Sequence, residues 1–462
     1  MLAVLALGIG TAQAAEQISI GQRYRIDSKQ MQESRSYMVH TPPGYAFAKD
    51  AYPVLVVLDG DTLFAQLAAV TDFLSDNERI PKMLVVGVPN TDRGRDLNAP
   101  RENAAAPVVG GPDRFLAFIG DELIPEIERK YRTRNYRVIA GHSSGGMFAL
   151  YTLPARSNLF NGYLAINPAF DGQDGLAKRI DAFLSANGTY RADLYMTMGN
   201  EPRTNQAGGF EMAATIQRRA SRELRWQYRR YPEETHFSTI MRGTYDGLEA
   251  IFSGYYIHDP FVIFEQGGLA ALEKNYASVS TRLGYSVQVP EQVLVSLVNS
   301  LEGRTRNEEA AKIVDRAAEV YPSSALVHFY GGRIYSKLGD KKRSVEHYAK
   351  AYEIAPSSFR SLRTLLKEQG VDPETIVPTF DLPKGSLRNY VGRYGASDVE
   401  IVARDNVLVA RISDREYTLR PMSATKFYYV NGEDVLIFRE DGRGKIVSVT
   451  LQSTGAELAR TP

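Results

Sequence analysis

The stretch "VIAGHSSGGMFAL" (Val138–Leu150) decides the fold. With the preceding "YR", its first residues read as a short apolar strand, and its last residues open an apolar helix. Between them, Gly141-His142-Ser143-Ser144-Gly145 matches G-x-S-x-G. The motif has chemical meaning only in this setting, because a sharp strand-to-helix turn exposes its central serine at the end of a sheet. Flanking glycines let strand and helix approach closely around that serine. The register selects Ser143; for Ser144 to be central, His142 would have to take the first small-residue position. The competing reading is a glycine-rich turn in which Ser143 only caps the helix.

Outward from this turn, short apolar runs alternate with amphipathic helical patterns. "YPVLVVLDG" (52–60), "KMLVVGVPN" (82–90), "YRVIAGH" (136–142), "GYLAINP" (162–168), "ADLYMTMGN" (192–200) and "LRWQYRRYP" (224–232) read as strands. Continuous apolar runs are the pattern of parallel strands buried on both faces. Helical stretches such as "DRFLAFIGDELIPEIERKY" (113–131) lie between them, which predicts an α/β domain over 16–258 with a mostly parallel sheet. The residues "RYRIDSKQMQESRSYMVH" add early antiparallel strands.

A hydroxyl nucleophile needs a base, and the chain has only 6 histidines. His40 lies in the N-terminal strands, His142 adjoins the serine, His258 follows the last strand-rich segment, and His328 and His347 lie in a later helical region. His236, in "YPEETHFST", follows the last predicted strand in a polar loop, where a Ser…acid…His order places the base. The acid should precede it. Glu201, just past the strand "LYMTM", is the candidate by chain order, with Glu233 and Glu234 as alternatives. An oxyanion hole needs two backbone N–H groups; the candidates are Ser144 and, after "VLVVLDGD", Asp61. Arg93, Arg95 and Asp96, in "NTDRGRDLNAP", follow a predicted parallel strand at the edge where such folds bind ligands. Arginines there suit an anionic or catecholate substrate; the competing reading is structural ion pairing.

These motifs resemble the esterase D / enterochelin (siderophore) esterase-like family of α/β-hydrolases. The resemblance runs over about residues 18–255, through "ESRSYMVHTPPGY", "YPVLVVLDGD", "VPNTDRGRDLNAP", "AGHSSGG", "TMGNEP" and "YPEETHFST", in family order. It implies hydrolysis of carboxylic esters through an acyl-enzyme, with Ser143 as nucleophile, His236 as base, Glu201 as acid, Asp61 and Ser144 as oxyanion amides, and no metal or organic cofactor. Siderophore-type esters are one substrate class of the family; feruloyl esterases, acylglutathione hydrolases and acyltransferases are also members. A shared fold does not choose among them.

Beyond residue 258 the pattern turns helical. "AAKIVDRAAEVYPSS" (310–324) and "SVEHYAKAYEIAPSS" (344–358) align at a spacing of 34, which resembles a tetratricopeptide repeat. This predicts a helical region over 259–370 that offers a surface to a protein partner. "VDPETIVPTFDLPKGS" (371–386) reads as a linker, and alternation over 387–457, with turn signals at Asn431-Gly432 and Asp441-Gly442, predicts a small antiparallel β domain. Its opening "YVGRYG" resembles lipocalin-like domains appended to some bacterial hydrolases.

At 462 residues the chain is long enough for about three domains. A net charge of +1 offers no broad field for nucleic acid. The start "MLAVLALGIGTAQAA" (1–15) reads as a signal peptide, with an apolar run over Leu2–Ile9 before an Ala12-Gln13-Ala14 site, which predicts a periplasmic or secreted protein. The run is too short to span a bilayer, so no membrane partner is expected. The sequence holds no cysteine, which excludes disulfides and thiolate metal sites. Two alternatives to the esterase stay open: a binding or scaffold protein that uses the repeats, and an acyltransferase with the same nucleophile.

Overall fold

The computed structural model describes residues 19–461 apart from 47, 99–110, 171–173, 357–358, 360, 378–379, 384, 396–398, 413–414, 431–433 and 453–454. The expected signal segment (1–15) and the Asn431-Gly432 turn lie outside the described residues. The chain divides into two compact units. One comprises 19–259 with 263–289, the other 260–262 with 290–462.

The first unit is built on an eight-stranded sheet. Its strands are β1 (Gln22–Ser28), β2 (Glu33–His40), β3 (Tyr52–Leu58), β4 (Leu84–Val88), β5 (Thr133–His142), β6 (Gly162–Ile166), β7 (Ala192–Met198) and β8 (Leu224–Arg230), in the order β1-β2-β4-β3-β5-β6-β7-β8. The β1–β2 and β2–β4 pairings are antiparallel. Those from β4 through β3, β5, β6 and β7 to β8 are parallel.

The apolar runs have their physical reason in this topology. Alternate residues of a strand face opposite sides. In β3, Val54, Val56 and Leu58 enter one core cluster, while Leu55 and Val57 enter the other. The Ser144–Ala155 helix supplies Met147, Phe148 and Leu150 to the first. The Gly60–Asp76 and Thr239–Ile251 helices supply Leu63, Leu67 and Leu248 to the second. With both faces covered, neither parity of a central strand can be polar.

The helix expected over 113–131 is in fact three pieces, Gly111–Ala117, a π-helical turn over Phe118–Leu123, and Ile124–Lys130. Pro125 has no N–H to give to the turn before it. Glu122, on the widened turn, accepts hydrogen bonds from Ser28 Oγ (2.5 Å) and the Lys29 amide (2.9 Å), tying the β1–β2 hairpin to the helix.

Residues 263–289 belong to the sheet unit because their side chains pack there. Val279 and Leu283 join its second core cluster, and Arg282 donates to Asp193 and the Ile251 carbonyl.

In the other unit, helices Glu291–Glu302 and Asn307–Val320 form one hairpin, and Ala325–Lys337 and Lys341–Ile354 form the next. In the segment read as a linker, Ile376 and Val377 pack into a core cluster. The segment contains the Pro373–Ile376 helix, whose Glu374 accepts from Arg363 and Arg420. An antiparallel meander follows, of strands β9 (Gly392–Tyr394), β10 (Val399–Arg404), β11 (Val407–Ile412), β12 (Arg415–Pro421), β13 (Lys426–Tyr429), β14 (Val435–Glu440), β15 (Ile446–Leu451) and β16 (Glu457–Ala459). A bridge between Tyr394 and Arg460 brings its two ends together. Ile401, Leu408, Phe427, Leu436 and Phe438 fill the interior, as side chains do in small barrels.

Candidate active site

Ser143 sits between β5 and the Ser144–Ala155 helix with φ 58° and ψ −120°. A serine in this region stores roughly 1–3 kcal/mol of backbone strain. Neighbouring backbone holds it there. The Ser143 N–H donates to the Ile166 carbonyl (3.0 Å), and its own carbonyl accepts from Met147 (3.0 Å) and Ala169 (3.3 Å). Gly141 is required sterically, because a Cβ there would lie 2.2 Å from the Gly145 oxygen. Ser144 is the first helical residue, so its N–H has no acceptor within the helix.

His236 and Glu201 come from the loops after β8 and β7. His236 Nδ1 lies 2.8 Å from Glu201 Oε1. Glu201 is nearly buried, while His236 is about 30% exposed. A carboxylate at Nδ1 holds the proton on that nitrogen and leaves Nε2 with a lone pair. The alternative acids point elsewhere: Glu234 accepts from Ser238 Oγ at 2.6 Å, and Glu233 is exposed.

His142 binds the base loop to the serine turn. Its Nε2 lies 2.7 Å from the His236 carbonyl, and the two rings are 4.5 Å apart between centroids. A carbonyl only accepts, so Nε2 carries the proton. Burial, above all, holds the His142 pKa down to about 4 and keeps it neutral. Phe237, exposed beside both histidines, forms an apolar lip.

Asp61 is the second residue of the Gly60–Asp76 helix, so its N–H is likewise unpaired within the helix. Asp59, just before, takes a left-handed conformation at φ 52°. Gly60 must be glycine, because a Cβ would lie 2.6 Å from the Val88 nitrogen. The buried Asp59 carboxylate accepts from Asn90 (2.6 Å) and from Arg93 Nε (2.7 Å).

Arg95 and Asp96, expected with Arg93 as substrate-binding groups, are engaged in ion pairs. Arg95 donates to Glu33 (2.7 Å) and to Asp96 (2.7 Å). Asp96 also accepts from Arg35 (2.7 Å), and Arg35 and Asp96 are wholly buried. Bonds from Arg95 and Arg35 lower the Glu33 pKa to about 2. A buried charge must be matched by partners, and these residues match one another. Arg93 is the exception: paired with Asp59, it remains about 41% exposed.

Three site residues were missed in the sequence: Asn167, Asn90 and the packing role of His142. A polar residue ending the buried run "GYLAI" was the one available signal for Asn167. Among the described residues, no group of three or more metal-ligating side chains converges.

A parallel sheet with a serine turn after β5 and an acid–histidine pair after β7 and β8 defines an α/β-hydrolase-like protein. The Esterase family model ("Putative esterase") matches residues 28–246. An IroE-like serine hydrolase from Shewanella oneidensis is 30% identical, with 65% of this chain and 99% of that one covered at a TM-score of 0.54. The ferri-bacillibactin esterase BesA of Bacillus subtilis is 29% identical over 179 residues, 33% of this chain and 61% of that protein. A siderophore enterobactin esterase of Emericella nidulans is 31% identical over 150 residues, 27% of this chain and 48% of that protein. The match therefore spans less than two thirds of either curated relative. The chain belongs to the esterase D / enterochelin esterase-like family.

Proposed function

We propose that this chain is a serine carboxylesterase acting through an acyl-enzyme. The observation that supports this best is the strained Ser143 turn at φ 58°. Its neighbour His142 is bonded to the His236 carbonyl, and His236 in turn is bonded to Glu201. In the proposed reaction Ser143 Oγ attacks the ester carbonyl while His236 Nε2 takes its proton. The Ser144 and Asp61 amides receive the negative oxygen, each such donor contributing roughly 10²–10³ in rate. His236 returns the proton to the departing alcohol. Water, deprotonated by His236, then releases the acid and restores Ser143. Glu201 stabilises the imidazolium in both halves.

Siderophore-type esters are the proposed substrate class, supported by the names of the relatives. Arg93 is the candidate for contact with an anionic part of such a substrate. Export to the periplasm or medium is proposed from the apolar N-terminal segment alone. The second reading is a protein partner held by tetratricopeptide-like repeats. It is supported by the 34-residue step from Glu291 to Ala325 and from Asn307 to Lys341. A groove of about 480 Å³ lined by Gln292, Val295, Asn299, Leu326 and Tyr330 adds to it.

Ser143→Ala should abolish p-nitrophenyl ester hydrolysis and labelling by a fluorophosphonate in folded protein, while Ser144→Ala retains labelling. Full activity in Ser143→Ala would sink the proposal. A panel of iron-loaded and iron-free siderophores, with product masses recorded, tests the substrate class.

A further inference from the structure

Asn167 is completely buried at the end of β6, and no step above uses it. It adopts a left-handed conformation, φ 48°, which asparagine tolerates better than most residues. Its N–H donates to Thr197 Oγ1 at 3.0 Å. Its side-chain Oδ1 accepts from the Gly199 N–H at 3.1 Å. A backbone N–H only donates, so this bond fixes which end of the amide is oxygen. Nδ2 must then face the other way, where two acceptors wait: Glu201 Oε1 at 2.7 Å and the His236 carbonyl at 3.3 Å. The two amide hydrogens match these two acceptors. Nδ2 also lies 3.2 Å from His236 Nδ1; both are donors, converging on the same Glu201 oxygen.

The backbone beside Asn167 is bound to the nucleophile turn. Ile166 accepts the Ser143 N–H, and Ala169 donates to the Ser143 carbonyl. One short segment therefore touches all three catalytic candidates, with its backbone on the serine and its side chain on the acid and base. Serine in place of Asn167 would be too short to reach both acceptors, and aspartate would set an oxygen against Glu201.

We infer that Asn167 is a positioning residue for the acid–base pair, resting on the reading of Ser143, His236 and Glu201 given above. It holds Glu201 Oε1 toward His236 Nδ1, and with His142 it grips the His236 carbonyl from two directions. The imidazole is thereby held as the Nδ1–H tautomer with Nε2 free to accept a proton.

The test uses the full chain with Asn167→Ala and Asn167→Asp, each checked for melting temperature and fluorophosphonate labelling. kcat and KM for a p-nitrophenyl ester are then measured from pH 4 to 9. Asn167→Ala should lower kcat roughly 10–100-fold, in the range of general acid–base contributions, with KM changed less than about threefold. Its acid limb should move to lower pH, because a carboxylate free to turn away supports the imidazolium less. Asn167→Asp keeps the oxygen that Gly199 binds, so it serves even where the alanine variant fails to fold. Its added negative charge should move the acid limb to higher pH by about one unit. A merely structural Asn167 would lower the melting temperature and leave kcat and the pH profile unchanged; that result overturns the inference. If the wild-type protein itself neither labels nor hydrolyses, the esterase reading fails first and this one falls with it.

Discussion

Arg93 grips the Asp59 carboxylate through Nε at 2.7 Å and Nη2 at 3.0 Å, and the same Nη2 reaches the His142 carbonyl at 3.3 Å. The pair joins the N-cap of the helix bearing the Asp61 amide to the residue before Ser143. Two proposed oxyanion donors on different helices need such a tie, because misplacement by about 1 Å can cost on the order of 10²-fold in rate. Asp59→Ala should therefore lower kcat by about 10–100-fold in a protein that still labels at Ser143. Steady-state kinetics decide it, and an unchanged kcat would show that the tie is dispensable.

Glu201 and Glu234 are separated by what they bond. Glu201→Gln should cut kcat by about 10²–10⁴-fold, in line with acid–base and triad contributions elsewhere. Glu234→Gln, which touches Ser238, should stay within about threefold of wild type. If the two results are reversed, the acid is misassigned.

Gly141→Ala places a Cβ 2.2 Å from the Gly145 oxygen. The turn cannot close around it without moving the helix. Hydrolysis and fluorophosphonate labelling should both be lost, with a lowered melting temperature. Retained labelling would mean the turn has room that the geometry denies.

Asp96→Ala strips a partner from the buried Arg35 guanidinium and from the part-buried Arg95. Breaking a buried pair this way costs about 3–5 kcal/mol, so chemical denaturation should show a large stability loss. KM should hold for whatever folds. A raised KM at unchanged stability would place Asp96 in substrate binding.

His142 predicts an acid-labile site. Its pKa falls from 6.5 unfolded to about 4 folded, so between those values the unfolded chain binds more protons. The stabilisation is fully present above pH 6.5 and is lost as pH falls toward 4. At ~1.4 kcal/mol per unit it amounts to ~3 kcal/mol. Melting temperatures across this window should drop more for wild type than for His142→Gln. Burial shifts His328 and His347 in the same direction, so some acid sensitivity remains in the variant. Equal drops would refute the assignment to His142.

The parallel sheet was legible because its signal is local: a strand covered on both faces must be apolar at every position, as Val54–Leu58 is. The helix over 113–131 was legible as a helix but not in its break. The π turn depends on Glu122 reaching a hairpin some 90 residues earlier in the chain. The arginines were ambiguous for a related reason. Charge is visible in a sequence, but whether it meets a ligand or a buried carboxylate depends on what folds beside it. Asn167 went unread because its significance lies wholly in partners 30 or more residues away.

By itself, then, the sequence determined the strand–turn–helix around Ser143, the order of serine, acid and histidine candidates, and the change to helices and then to antiparallel strands. Each of these follows from patterns within a few residues. The tertiary structure alone decided which carboxylate faces His236, that Arg95 and Asp96 are bound to Glu33 and Arg35, and that Asn167 spans Glu201 and His236. These are hydrogen bonds between segments distant in sequence, and only the packed fold brings their atoms within 3 Å or so of one another.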